Sequence, residues 1–217
     1  MNAHSRRTAA MTTLAAFYFA STGCYAIRPM PKTIGPSDYA FHQSSSDVQI
    51  GLLPFYYSDK SGDPATHPFD VNLKGKRVVA LQLEIQKTGE AHLQIPTRDI
   101  TLTLKNGTVV PLAASAIASK KSKRSAALIV FPWVVPLLSI LGVVVSAILV
   151  VKANKNMAID FESKSLPELV TIPREQPILG YVYFVLPERP PSAEGMRVTI
   201  PVMDVETGAK FSIEQTF

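Results

Sequence analysis

Cysteine is almost absent from this chain of 217 residues, which contains only Cys24. A single cysteine excludes an intramolecular disulfide and leaves no cysteine pair for a metal site. His42, His67 and His92 are scattered and have no acidic or cysteine partner at ligand spacing. We therefore expect neither a metal nor another cofactor.

Catalytic motifs are also missing. The sequence has no glycine-rich phosphate loop, no G-x-S-x-G turn and no paired-carboxylate motif. These absences favour a protein that is not an enzyme, and a hydrolase is the weakest alternative.

The net charge of +5 is concentrated in two places. Arg6 and Arg7 lie near the start of the chain, and Lys120, Lys121, Lys123 and Arg124 form a cluster. A nucleic-acid-binding protein usually spreads its basic residues over a face or groove, so no nucleic-acid partner is expected. A local basic cluster beside an apolar run instead indicates contact with anionic lipid headgroups.

The first residues follow the pattern of an export signal. Arg6 and Arg7 give a positive start, and the apolar stretch from Ala9 to Ala20 is followed by small residues. The sequence predicts a signal peptide over residues 1–23. The competing interpretation is an uncleaved anchor helix, but the apolar stretch is shorter than the roughly 20 residues that a membrane span requires.

The end of this signal, Ser21-Thr22-Gly23-Cys24, resembles the lipobox of bacterial lipoproteins. The resemblance covers about the first two dozen residues. It implies that Cys24 receives a diacylglyceryl group and becomes the new N-terminus. Cys24 would then be the site of palmitate attachment. Because Tyr25 rather than aspartate follows the cysteine, the resemblance also implies the periplasmic face of the outer membrane rather than the inner membrane.

Residues 24–47 are rich in proline, glycine and serine, which predicts a flexible tether behind the acylated cysteine. Beyond it, short strands are predicted on both sides of one apolar segment. The clearest is residues 77–87, where Val79, Leu81, Leu83 and Ile85 alternate with other residues as in a half-buried strand.

The other predicted strands are residues 48–57, 92–96, 178–187, 196–205 and 209–217, and a hairpin over 99–112 that turns at Asn106-Gly107. Residues 159–169 are compatible with a strand or a short helix. About seven strands with frequent turn residues predict a mainly β fold, an immunoglobulin-like β-sandwich. Its halves would be residues 48–119 and 157–217.

An uncharged stretch of 26 residues, from Ala126 to Val151, separates the two halves. It exceeds the roughly 18 apolar residues that mark a transmembrane candidate. With its basic flanks, it predicts a helical membrane segment over residues 120–156. A helix buried in protein is the alternative, and a bundle of single helices from several subunits is another.

A single membrane crossing would place the two halves of the sandwich on opposite sides. A hairpin avoids this, because two helical arms of about 13 residues each reach only about 20 Å into a hydrocarbon core of about 30 Å. Pro132 and Pro136 favour a break or bend. Basic residues at both ends would then lie in one headgroup layer.

The sequence thus predicts three kinds of membrane-related residue. The lipid-attachment residue is Cys24. The membrane-contacting residues are Phe131, Trp133, Leu137, Leu138, Ile140 and Leu141. The headgroup-binding residues are Lys120, Lys121, Lys123, Arg124, Lys152 and Lys155.

The leading functional hypothesis is a non-enzymatic envelope lipoprotein that acts as a scaffold or accessory subunit of an envelope complex. Its expected partners are membrane lipids and either a protein partner or further copies of the chain. The alternative is a lipoprotein that binds a lipid or other ligand and assists transport across the envelope.

Overall fold

The computed structural model describes residues 25–45, 47–58, 66–124, 136–174 and 176–217; for residues 136–147 the backbone alone is described. These residues form a mainly β fold of two antiparallel sheets. The β-rich, two-sheet prediction is therefore confirmed.

The first sheet, sheet A, has the strand order β1-β2-β3-β8. Its strands are β1 (Phe41–Ser44), β2 (Val48–Phe55), β3 (Val78–Lys87) and β8 (Ile178–Val185). The pairing of β3 with the edge strand β8 joins the two halves of the sequence, from Val78 opposite Val185 to Ile85 opposite Ile178. Residues before and after the apolar segment thus belong to one folded body.

The second sheet, sheet B, is built around β9. Its strands are β4 (Leu93–Pro96), β5 (Thr101–Thr103), β6 (Val109–Pro111), β7 (Leu169–Thr171), β9 (Arg197–Asp204) and β10 (Lys210–Thr216). One edge of β9 pairs with β10, whereas β4 and β5 pair with different parts of β9 and are joined by a 3₁₀ turn at Thr97–Asp99. The predicted hairpin between β5 and β6 is confirmed, with Gly107 at a φ of 84° in its turn.

The main core lies between the two sheets. The alternate residues Val79, Leu81, Leu83 and Ile85 of β3 point into it and are fully buried, as their sequence pattern predicts. The opposite face of β3 is buried as well, however, and includes the polar residues Gln82 and Glu84. The prediction that β3 is half-buried is therefore wrong, because a further layer covers sheet A.

This further layer contains three helices. They are α1 (Leu73–Lys76), α2 (Ser115–Ser122) and α3 (Pro136–Lys164). Ala113 and Ser165, which bound the α2–α3 insert, both bridge to β8 at its free edge. The helices pack on Tyr181 and Tyr183 of that strand and form a second apolar cluster.

The N-terminal segment completes the same layer, which corrects the prediction of a flexible tether over residues 24–47. Tyr25 is 4% exposed, and Phe41–Ser44 pair with β2 as an edge strand. The main-chain amides of Ile34 and Gly35 donate to the buried carboxylate of Glu84 at 3.2 and 2.9 Å. Proline and glycine prevent regular structure here, but they do not prevent this segment from packing on the sheet.

Helix α3 continues to Lys164, so the second half of the β fold begins later than residue 157, and the ambiguous region 159–169 is mostly helical. Within the described residues, the helix begins at Pro136. Of the predicted membrane segment, residues 125–135 lie outside the described residues. Across the described ranges, no helix combines the length and apolar character that crossing a bilayer requires.

Candidate membrane-attachment site

The carboxylate of Asp70 connects two distant parts of the chain. The main-chain amide of Ala26 donates to Asp70 Oδ2 at 3.0 Å, and Arg124 Nη2 donates to the same oxygen at 3.1 Å. Arg124 also donates to the main-chain oxygen of Asp70 at 3.2 Å. The chain just after Cys24 therefore meets the chain just before the apolar segment.

A second pair of hydrogen bonds joins Arg124 to the other end of that segment. The amide of Arg124 donates to Asn154 Oδ1 at 2.9 Å, and Asn154 Nδ2 donates to the carbonyl of Arg124 at 3.3 Å. Arg124, which precedes the apolar segment, and Asn154, which follows it, thus lie side by side. We call Ala26, Asp70, Arg124 and Asn154 the anchor joint.

Asp70 is positioned by its neighbour Phe69, which is fully buried. The Phe69 ring lies 4.6 Å from that of Phe161 on α3 and 5.2 Å from that of Tyr181 on β8, measured between centroids. On the other side, Asn72 caps α1 by accepting a hydrogen bond from the amide of Gly75. Aromatic packing and this cap therefore fix the short loop that carries Asp70.

A buried ion pair lies under the joint. Lys164 Nζ is 2.8 Å from Asp160 Oδ1, and the two side chains are 3% and 0% exposed. Tyr25 donates to Asp160 Oδ2 at 2.6 Å, and Lys164 donates to the carbonyl of Pro68 at 2.7 Å and lies over the Phe69 ring. These contacts attach the N-terminal segment and the loop before Asp70 to α3.

Burial shifts the titration of this cluster. It raises the pKa of Asp160 above its ordinary value, although Lys164 and Tyr25 oppose the shift. It lowers the pKa of Lys164, against the attraction of Asp160, and raises the pKa of Tyr25 far above its ordinary value. Both members of the ion pair are therefore costly to bury as charges.

The predicted headgroup-binding residues divide into two groups. Lys120, Lys121, Lys123, Lys152 and Lys155 are exposed near the joint. Arg124 is different, because its ion pair with Asp70 leaves the side chains 15% and 16% exposed. Its guanidinium group already pairs with Asp70, and headgroup binding by Arg124 stays a prediction.

The remaining predicted residues lie outside the part of the chain whose side chains are described. Cys24, Phe131 and Trp133 lie outside the described residues. Leu137, Leu138, Ile140 and Leu141 lie on the described backbone of α3, which gives their place in the helix alone. Farther along α3, Ile148 and Val151 are 62% and 68% exposed, so apolar side chains reach the surface beside Lys152.

Of the four residues of the anchor joint, only Arg124 was among the site residues predicted from the sequence. The ion pair under the joint was not predicted either. The spacing of Asp160 and Lys164, four residues apart, was a usable signal for a helical ion pair, but their region was ambiguous between strand and helix. No sequence signal linked Asp70 to Ala26 or Arg124. That contact depends on the packing of three elements that are distant along the chain.

Other chemistry is not evident in the described part of the chain. It contains no group of three or more histidine, cysteine, aspartate or glutamate side chains able to hold a metal ion. A groove of about 270 Å³ beside Tyr39 and Gln82 is below the usual range of about 300–1,000 Å³ for ligand pockets. It gives no support to the ligand-binding hypothesis.

No protein-family model, curated protein or solved structure matches this chain.

Proposed function

We propose that this protein is a bacterial envelope lipoprotein that is attached to one membrane at two points and serves as a non-enzymatic scaffold or accessory subunit of an envelope complex. The attachments are the acyl group on Cys24 and the apolar segment over residues 126–151. The immunoglobulin-like β-sandwich is the docking domain. The observation that carries the proposal is the shared contact of Ala26 and Arg124 with Asp70.

This contact supports attachment to one membrane surface. Tyr25 follows Cys24 directly and is buried, so an acyl group on Cys24 enters the bilayer close to the folded body. The apolar segment follows Arg124, which pairs with the same carboxylate, and Asn154, just past its other end, hydrogen-bonds to the main chain of Arg124. Two attachments hold the folded body at the membrane more firmly than the diacylglyceryl group on Cys24 alone, because the apolar segment buries further apolar surface in the bilayer.

The pairing of β3 with β8 supports a segment that returns to the side it left. A single crossing would separate these strands across a membrane, and sheet A would lose β8, which pairs with β3 over its whole length. A hairpin that enters one leaflet keeps both strands on one side. The scaffold role follows from this placement, since the sandwich then stands at the membrane surface.

The test uses full-length protein in a Gram-negative host. Wild type is expected to incorporate labelled palmitate and to stay in the outer-membrane fraction after a carbonate wash. Cys24→Ser is expected to lose the label, and Ser37→Ala, at an exposed serine outside the lipobox, serves as a control that keeps it. A wild-type protein without palmitate, or with palmitate in another membrane fraction, would overturn the anchoring proposed here.

Single cysteines at Ile117→Cys and Ile159→Cys test the return of the chain. These positions lie before and after the apolar segment and are 57% and 46% exposed. An impermeant thiol reagent should label both once the outer membrane is permeabilised, and neither before. Labelling from opposite sides of a membrane would exclude the hairpin.

Crosslinking followed by detergent extraction tests the scaffold role. It should recover a stoichiometric envelope partner, and a protein without one would not be a scaffold.

A further inference from the structure

Six lysines from three helices surround the anchor joint. We call them the lysine collar; they are Lys76 of α1, Lys120 and Lys121 of α2, Lys123 just after α2, and Lys152 and Lys155 of α3. Lys76 was not among the predicted headgroup-binding residues. It is half-buried and the other five are exposed.

Main-chain contacts hold the collar together. Lys76 Nζ donates to the carbonyl of Lys123 at 2.6 Å, which joins α1 to the end of α2. The paired hydrogen bonds between Arg124 and Asn154 join that end to α3, between Lys152 and Lys155. The lysines are thus gathered by the fold and not only by their order in the sequence.

No collar lysine forms an ion pair within the described ranges. Asp70 and Asp160, the carboxylates of the joint and the cluster under it, are already paired with Arg124 and Lys164. The pKa of Lys76 is lowered by burial and further by the positive charges of Lys121 and Arg124. Like charges without a counter-charge repel each other, so an external anion would stabilise this arrangement.

We propose that the lysine collar binds the phosphate of anionic phospholipid headgroups and so gives the protein a preference for anionic membranes. This inference rests on the proposed function, because the collar lies beside the anchor joint, whose residues come just after Cys24 and on either side of the apolar segment. The exposed side chains of Ile148 and Val151 lie on α3 next to Lys152. An apolar surface beside lysines is the arrangement by which helices lie at a membrane interface.

The test uses full-length protein in micelles of a zwitterionic detergent, with bound lipid counted by native mass spectrometry. The probes are short-chain phosphatidylglycerol, phosphatidylcholine of the same chain length, and inorganic phosphate. The collar variant is Lys121→Gln with Lys152→Gln. The control is Lys105→Gln with Lys210→Gln, which removes the same charge from exposed lysines in the β5–β6 turn and in β10.

Wild type should bind phosphatidylglycerol more tightly than phosphatidylcholine. Each collar lysine removed should weaken that binding about fivefold, and therefore about 25-fold for the double variant. The control should stay within about twofold, and added salt should reduce the preference because exposed charges are screened.

Equal affinity for the two lipids, or equal weakening in the control, would overturn the inference. Inorganic phosphate that displaces phosphatidylglycerol at equal concentration would identify a free-phosphate site and overturn the membrane occupant. Each of these results leaves palmitate incorporation and membrane fractionation unchanged. A failure of the collar is thus distinguishable from a failure of the proposed function.

Discussion

Arg124 donates its main-chain amide to Asn154 Oδ1 at 2.9 Å and accepts a hydrogen bond from Asn154 Nδ2 at 3.3 Å. These bonds connect residues that are 30 positions apart in the sequence. They hold the two ends of the apolar segment together at the edge of the helical layer. The residues that flank the segment are therefore fixed relative to each other.

Asn154→Ala should therefore destabilise the folded body. The substitution removes a side chain that makes two hydrogen bonds, and we expect a loss of about 1–2 kcal/mol in the free energy of unfolding. Asn156→Ala is the matched control on the same helix. It should be neutral or slightly stabilising, because alanine favours helix. Urea unfolding in micelles measures both, and equal effects would mean that the Arg124–Asn154 contact contributes nothing.

Asp70→Asn tests the contact between the N-terminal segment and the apolar segment. A neutral amide loses the ion pair with Arg124 and weakens the bond from the Ala26 amide. Breaking a fully buried pair costs about 3–5 kcal/mol, and because this pair keeps slight exposure we expect about 2 kcal/mol. The control is Asp99→Asn, because Asp99 forms an exposed ion pair with Arg98. Its expected change in stability is below about 0.5 kcal/mol.

The same substitution should also loosen the N-terminal segment. A cysteine placed by Ile27→Cys, next to Ala26, reports on its attachment. We expect its thiol to react faster with an impermeant reagent in Asp70→Asn than in Asp99→Asn. If the rates are the same, the Ala26–Asp70 hydrogen bond does not hold the segment.

Much of the β fold was predictable because its signal is local. The alternation in residues 77–87 and the Asn106-Gly107 turn depend on neighbours within a few residues, and both predictions are confirmed. The short strands β1 and β7 were missed because each consists of three or four residues whose pairing partner lies elsewhere in the chain.

The covering layer was not predictable for a different reason. Glu84 occupies a strand position that normally faces water, and nothing in residues 77–87 indicates that Tyr39 and the residue 34–35 amides cover it. The buried state of Tyr25 depends in the same way on Asp160, 135 positions away. Local sequence sets the strands, whereas these long-range polar contacts set what lies on them.

Stability should depend on pH through Asp160. Burial raises its folded-state pKa, so the unfolded chain, in which the carboxyl titrates near 3.8, loses this proton first. Below pH 3.8 the carboxyl is protonated in both states and the full stabilisation is present. The contribution is lost as the pH rises from about 3.8 through the raised pKa. Unfolding measured across this window in wild type and Asp160→Asn should show a decrease present in wild type alone.

The Asp160–Lys164 pair should show strong coupling in a double-mutant cycle. Lys164→Met leaves a buried carboxylate without its cation, and Asp160→Asn leaves a buried ammonium without its anion. Lys164→Met should cost about 3–5 kcal/mol at neutral pH. Asp160→Asn removes a charge that burial disfavours and should cost less, and the double change should be within about 2 kcal/mol of wild type. Lys164→Met should also recover stability at acidic pH, where Asp160 is protonated. Additive losses would show that the two charges do not depend on each other.

Glu84 should be the main attachment of the covering segment to sheet A. Its carboxylate is fully buried and accepts three hydrogen bonds, from the amides of Ile34 and Gly35 and from Tyr39 Oη at 2.8 Å. Glu84→Gln puts an amide donor against at least one of these donors. The two donors that then face each other each lose a hydrogen-bond partner. We therefore expect the free energy of unfolding to fall by about 2–3 kcal/mol and proteolysis within residues 30–40 to become faster.

The control is Glu90→Gln. Glu90 forms an exposed pair with Arg174, so this change should alter stability by less than about 0.5 kcal/mol. Unchanged proteolysis in Glu84→Gln would mean that apolar contacts hold the segment, and that the hydrogen bonds to Glu84 do not contribute to its attachment.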